Sequence, residues 1–193
     1  ASTRPGWAMR EDRSRRLSMA AQSPWKAPFR FIEIGAGPVK RVLEADAATH
    51  IRAVVLAGAG RAFCAGADLA EFRHLTPDQS DAVIKRADLT CRVQMVMSQI
   101  SKPVVAAAQG PAVGGGAGLA IGCDMTVVGR DLKFGYPEVK HSIVPALVMT
   151  GLVRALGRKQ AFEMSSRGRL IGAAEALARG LATRIADDPL AEA

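Results

Sequence analysis

The stretch GPAVGGGAGLA, residues 110–120, limits the fold most tightly, because it sets five glycines among small apolar residues directly after the run VVAAAQ. Glycine loses more conformational entropy on folding than any other residue, so a cluster of it needs a physical reason. Two are open at this point. One is a loose connection, or a place where two backbones pack closely. The other is a main chain stripped of side chains so that its N–H groups can reach a ligand.

The surrounding pattern is that of an α/β domain. RAVVLAG (52–58), KPVVAAAQG (102–110) and MTVVG (125–129) read as buried strands, being short apolar runs rich in β-branched residues. Between them, PVKRVLEADAA (38–48) reads as a helix with proline at its first position. Thr76, Pro77 and Gln79 have the spacing of an N-terminal capping box. Leu89, Val93, Val96, Met97 and Ile100 follow as one apolar stripe at helical spacing, fit for the core or a subunit contact. GAGLAIGC opens a further helix, two or three helices lie between Pro145 and Arg179 with Gly180 as a C-terminal stop, and LATRI (181–185) reads as a last strand. Strands alternating with helices imply a sheet covered by helices. Residues 1–30 read as a basic, irregular N-terminal segment and residues 31–193 as the α/β core.

Charge narrows the partners. The formal net charge is +8, but residues 1–30 carry seven basic against two acidic side chains, so the rest of the chain is only modestly cationic. Such an excess suits a polyanionic small ligand as well as a nucleic acid. The three cysteines, Cys64, Cys91 and Cys123, are widely spaced and form no CxxC pair. That argues against a disulfide framework or a structural zinc site, and for a reducing, cytoplasmic compartment. No segment reads as a membrane helix, and nothing near the start reads as a secretory signal.

Several glycine-loop chemistries fail on their spacing. A P-loop needs a Gly-Lys pair, which the chain lacks. GAGRAF (58–63) places Phe63 where a dinucleotide fingerprint needs glycine, and no GxSxG elbow is present. A backbone-donor reading remains. CAGADL (64–69) is a loop of small residues, and Gly114–Gly116 open a helix, where free N–H groups and the helix dipole favour negative charge. Two such donors converging on one carbonyl oxygen make an oxyanion hole.

In order and spacing, RAVVLAGAGRAFCAGADLAEF, KPVVAAAQGPAVGGGAGLAIGCDMTVVGRDLKFGYPEVKHSIVP and AFEMSSRGRLIGAAEALARGLATRI resemble the enoyl-CoA hydratase/isomerase (crotonase) superfamily over residues 38–190. The resemblance implies a ClpP/crotonase-type ββα spiral, truncated at its C-terminus relative to the family. It implies the N–H groups of Ala67 and Gly115 as oxyanion donors to an acyl-CoA thioester. Ala65, Gly66, Asp68, Leu69 and Gly114 would line the coenzyme A path. Coenzyme A would be part of the substrate, with no separate cofactor or metal, and the assembly a homotrimer or hexamer without membrane or nucleic-acid partner.

Acid–base chemistry is where the chain departs from that pattern. Family hydratases use two glutamates. The first falls on Gly118, which has no side chain, and the second on Glu138. Without the resemblance, Glu138 would read first as a surface carboxylate capping the next turn. Hydration wants one group to activate water and another to deliver a proton, whereas moving a double bond from Δ3 to Δ2 needs one base. Isomerisation is therefore the favoured expectation. A thioester hydrolase and a non-catalytic acyl-CoA- or RNA-binding protein are the alternatives. His141 and the sole tyrosine, Tyr136, stand nearby as a possible helper and a possible hydrogen-bond donor or packing group.

Overall fold

The computed structural model describes residues 29–33, 38–67 and 76–193. Five strands form an all-parallel sheet in the order β1-β2-β3-β5-β8: β1 (Phe29–Glu33), β2 (Ala53–Ala57), β3 (Val104–Ala108), β5 (Met125–Gly129) and β8 (Arg184–Ala186). A second, smaller sheet runs β4-β6-β7, from β4 (Pro111–Val113), β6 (Lys133–Gly135) and β7 (Leu170–Ile171). The helices are α1 (Pro38–Ala47), α2 (Ser80–Met95), α3 (Gly115–Gly122), α4 (Thr150–Arg167), α5 (Ala173–Ala178) and α6 (Pro189–Glu192).

Parallel strands joined by crossovers are covered on both faces, so they read as continuous apolar runs. β3 is buried along its whole length. Side chains alternate across the sheet: Val54, Leu56, Val104 and Ala106 enter the main core, while Val55, Ala57 and Ala107 form a second cluster beneath Leu190 and Ala193. Truncating the fully buried Leu56 to alanine is expected to cost about 2–5 kcal/mol. The starts of β3 and β5 are tied by Asp124, whose carboxylate accepts from Val104 N at 2.8 Å while its own N–H donates to the Val104 carbonyl at 2.9 Å.

Local expectations met mixed outcomes. Pro38 does open α1, and α4 is broken at Gly157, whose φ of 73° is non-helical, so three helical pieces lie between Pro145 and Arg179. β1 begins at Phe29, two residues before the boundary drawn from composition. The capping box does not form. Pro77–Gln79 is a 3-10 turn and α2 starts only at Ser80, so Thr76 makes no side-chain cap bond. Its side chain instead hydrogen-bonds Asp78, holding that carboxyl below its ordinary range. The apolar stripe is split as well: Val96 and Met97 are buried and Val93 and Ile100 half-buried, but Leu89 is 53% exposed. The α-helix ends at Met95 and passes into a 3-10 turn at Val96–Ser98, and the buried pair Val96 and Met97 belongs to that turn and not to α2.

Candidate active site

The glycine-rich stretch is a strand, a turn and a helix. Pro111–Val113 pairs in parallel with Lys133–Gly135, and an isolated parallel bridge joins Cys64 to Ala112. Three segments therefore leave the small sheet side by side and in one direction: residues 65–67, residues 114–116 and residues 136–138. That shared direction gathers the site.

At its centre is Gly114, with φ 58° and ψ −118°, a conformation open in practice only to glycine. Its N–H donates to the Gly135 carbonyl at 2.9 Å, and its carbonyl accepts from Gly118 N at 3.0 Å. A methyl group on Gly114 would stand 2.5 Å from Glu138 Oε1, so the carboxylate lies directly against this backbone. Gly116 is compelled differently, since any side chain there would strike the Cys64 carbonyl. α3 consequently packs on the Cys64 segment at main-chain distance, and tertiary contact overrides the poor helix propensity of GGAGLAIG.

Gly66 has φ 93°, and a Cβ on it would lie 3.0 Å from the Val113 carbonyl and 3.7 Å from Gly115 N. The Ala65–Ala67 loop and the start of α3 are thus neighbours, with Ala65 and Ala67 exposed. Among the described residues, neither the Ala67 N–H nor the Gly115 N–H has an acceptor. Asp68 and Leu69 lie outside the described residues. The Cys64 thiol is pushed up by burial, opposed by a hydrogen bond from the Gly66 backbone, and is therefore held as the neutral thiol at physiological pH.

Glu138 sits on the 3-10 turn Pro137–His141. Ser142 ends the turn with φ 57°, and Ile143 N donates to the Glu138 carbonyl at 3.1 Å, which fixes the turn over Gly114. Burial raises the carboxyl pKa, while its own N–H and the nearby His141 oppose the shift. Among the described residues, Glu138 Oε2 is buried without a hydrogen-bond partner. So is the Tyr136 hydroxyl, on a side chain with no exposure whose ring meets Phe134 edge-on with centroids 6.1 Å apart. Burial and the charge of Glu138 both push the Tyr136 hydroxyl pKa upward. A half-buried carboxylate whose pKa is raised by burial is a stronger base than a free one and is suited to proton transfer.

The sequence alone gave no notice of Gln94. From the last turn of α2, its Nε2 donates to the Gly115 carbonyl at 3.0 Å. Its Oε1 fills the place into which a side chain at Gly118 would project, and the Val148 carbonyl would stand 2.6 Å from that Cβ. Gln94 lies one residue beyond Val93 of the apolar stripe, so no periodicity marks it.

The fold is that of a crotonase-type protein. The model for the enoyl-CoA hydratase/isomerase family matches residues 39–192, and the chain belongs to that family. A putative enoyl-CoA hydratase from Thermus thermophilus is 46% identical over 144 residues, 75% of this chain and 56% of that protein. The crystal structure of a putative enoyl-CoA hydratase/isomerase (crotonase) from Legionella pneumophila superposes with a TM-score of 0.74 at 29% identity, covering 79% of this chain and 59% of that one. An enoyl-CoA hydratase/isomerase from Mycobacterium paratuberculosis gives a TM-score of 0.79 at 29% identity, covering 86% and 72%. The chain spans a little over half the length of the curated relatives it matches. Among the described residues, no helix is long and apolar enough to cross a membrane.

Proposed function

We propose that the chain isomerises an unsaturated acyl-CoA thioester, moving its double bond from Δ3 to Δ2. The observation that carries this reading is the Glu138 carboxylate against Gly114, at the start of a helix whose position 118 bears no side chain. In the proposed reaction the thioester oxygen accepts hydrogen bonds from the Ala67 and Gly115 N–H groups. Glu138 takes a proton from C2, the electron pair moves onto the thioester oxygen, and negative charge is stabilised by the two donors and the helix dipole. The same proton returns at C4. The C2–H bond is broken, a C4–H bond is formed, and the double bond comes to rest in conjugation with the carbonyl.

Hydration needs a second proton-handling group beside the first. Gly118 supplies none, and the space beside it is taken by a neutral carboxamide. Tyr136, its hydroxyl raised in pKa by burial and by Glu138, stays protonated across the working range. The acyl-CoA is the substrate and the only coenzyme the scheme requires, bound along Ala65–Leu69, with homotrimeric or hexameric assembly as the accompanying expectation.

Product identity tests the reading. Supplied with a 3-enoyl-CoA, the protein should accumulate the conjugated 2-enoyl-CoA and leave it unhydrated. Conversion onward to 3-hydroxyacyl-CoA would assign a hydratase, and release of free coenzyme A a hydrolase. Binding without turnover would assign a non-catalytic acyl-CoA protein.

A further inference from the structure

We infer that Gln94 is a positioning residue for the Gly115 N–H, and that it can act only because position 118 is glycine. This rests on the oxyanion role proposed above for Gly115. Three consecutive glycines form the softest backbone a chain can present, yet an oxyanion donor must be aimed before the charge develops. The structure fixes this turn at three points. Gly114 is held at its N–H by the Gly135 carbonyl and at its own carbonyl by Gly118 N. Gly115 is held at its carbonyl by Gln94 Nε2, at 3.0 Å, from a different helix 21 residues away in sequence.

The Gly115 N–H shares its peptide plane with the Gly114 carbonyl, which Gly118 N holds, and Gln94 secures the next plane along, while among the described residues nothing accepts from that N–H. The carboxamide suits this task because it donates without carrying charge. A carboxylate in its place could not donate to a carbonyl unless protonated. Gln94 also depends on Gly118, since its Oε1 occupies the volume of any side chain there. A Cβ on Gly115 would stand only 3.7 Å from Nε2, so the amide is packed against this glycine and not swinging in solvent. One side chain thus supports the donor and closes the slot in which family hydratases carry their first glutamate.

The test reads carbonyl polarisation directly, so it does not depend on turnover. Saturated butyryl-CoA labelled with 13C at the thioester carbonyl is bound to the wild type, Gln94→Met and Gln94→Glu, and the isotope-edited C=O stretch is recorded. The wild type should lower the bound frequency relative to free butyryl-CoA, and Gln94→Met should lose at least half of that displacement while still binding. Gln94→Glu should lose it at neutral pH and regain it at a pH where the introduced carboxyl is protonated, which a purely structural role would not produce. In turnover, kcat should fall about 10- to 100-fold with KM nearly unchanged, since a mis-aimed donor costs most in the transition state. Undiminished displacement in both variants overturns the role of Gln94 and leaves the isomerase reading standing. Full dependence on Gln94 without any wild-type isomerisation keeps the role and removes the isomerase. A wild type that binds butyryl-CoA with no displacement overturns both.

Discussion

The carboxylate of Glu138 rests on the backbone of Gly114, near enough that a methyl group on the glycine would stand 2.5 Å from Oε1. This contact joins two segments that the parallel pairing of β4 with β6 carries out of the sheet together. It makes one position answerable both for backbone geometry and for where the base sits.

Gly114→Ala should therefore be damaging twice over. At φ 58° and ψ −118° a Cβ is strained, by about 1–3 kcal/mol, and it would also push Glu138 aside. Thermal unfolding should move down by several degrees, and isomerisation should fall further than the stability loss explains. Wild-type activity in this variant would show that Glu138 does not work from the position seen here.

Glu138→Gln should raise stability at neutral pH. Burial lifts the folded carboxyl above its ordinary value of 4.5, so the native state holds its proton more tightly than the unfolded chain does. Stability is then lost as pH rises from about 4.5 through the raised value, and the amide escapes that loss. Denaturant midpoints of the two proteins should coincide below about pH 4 and separate above it, with the variant higher.

Glu175 carries the opposite sign. Arg169 grips it through two hydrogen bonds, one of them 2.9 Å, and Arg179 adds a 2.7 Å contact, which holds its carboxyl at about 2. Its contribution is complete above about 4.5 and disappears as pH falls toward about 2. Glu175→Gln should be less stable than the wild type at neutral pH, and the gap should close on acidification. Because these side chains are about a third exposed, the gap should also shrink in high salt.

Much of this arrangement is legible in the sequence itself. β2, β3 and β5 announced themselves because strands buried on both faces must be apolar throughout. The glycine cluster pointed to a bared helix start, and the resemblance pointed to Glu138 opposite it. β1 was hidden, since FRFIE follows a proline-interrupted stretch and gains its strand character by pairing with β2. β4, β6 and β7 are two or three residues long, too short for a period to appear. Gln94 was beyond reach for another reason. Its meaning lies in a contact with Gly115 and in the empty side of Gly118, and neither spacing nor propensity encodes such a meeting.

The central claim is that one carboxylate moves the proton. The most direct measurement is the rate at which a 3-enoyl-CoA becomes conjugated 2-enoyl-CoA with the wild type and with Glu138→Gln, after native acyl-CoA binding is verified in both. Loss of a general base should lower the rate by about 10²–10⁴-fold with binding retained. Equal rates in the two proteins would contradict the account, because the proton would then be moving without Glu138.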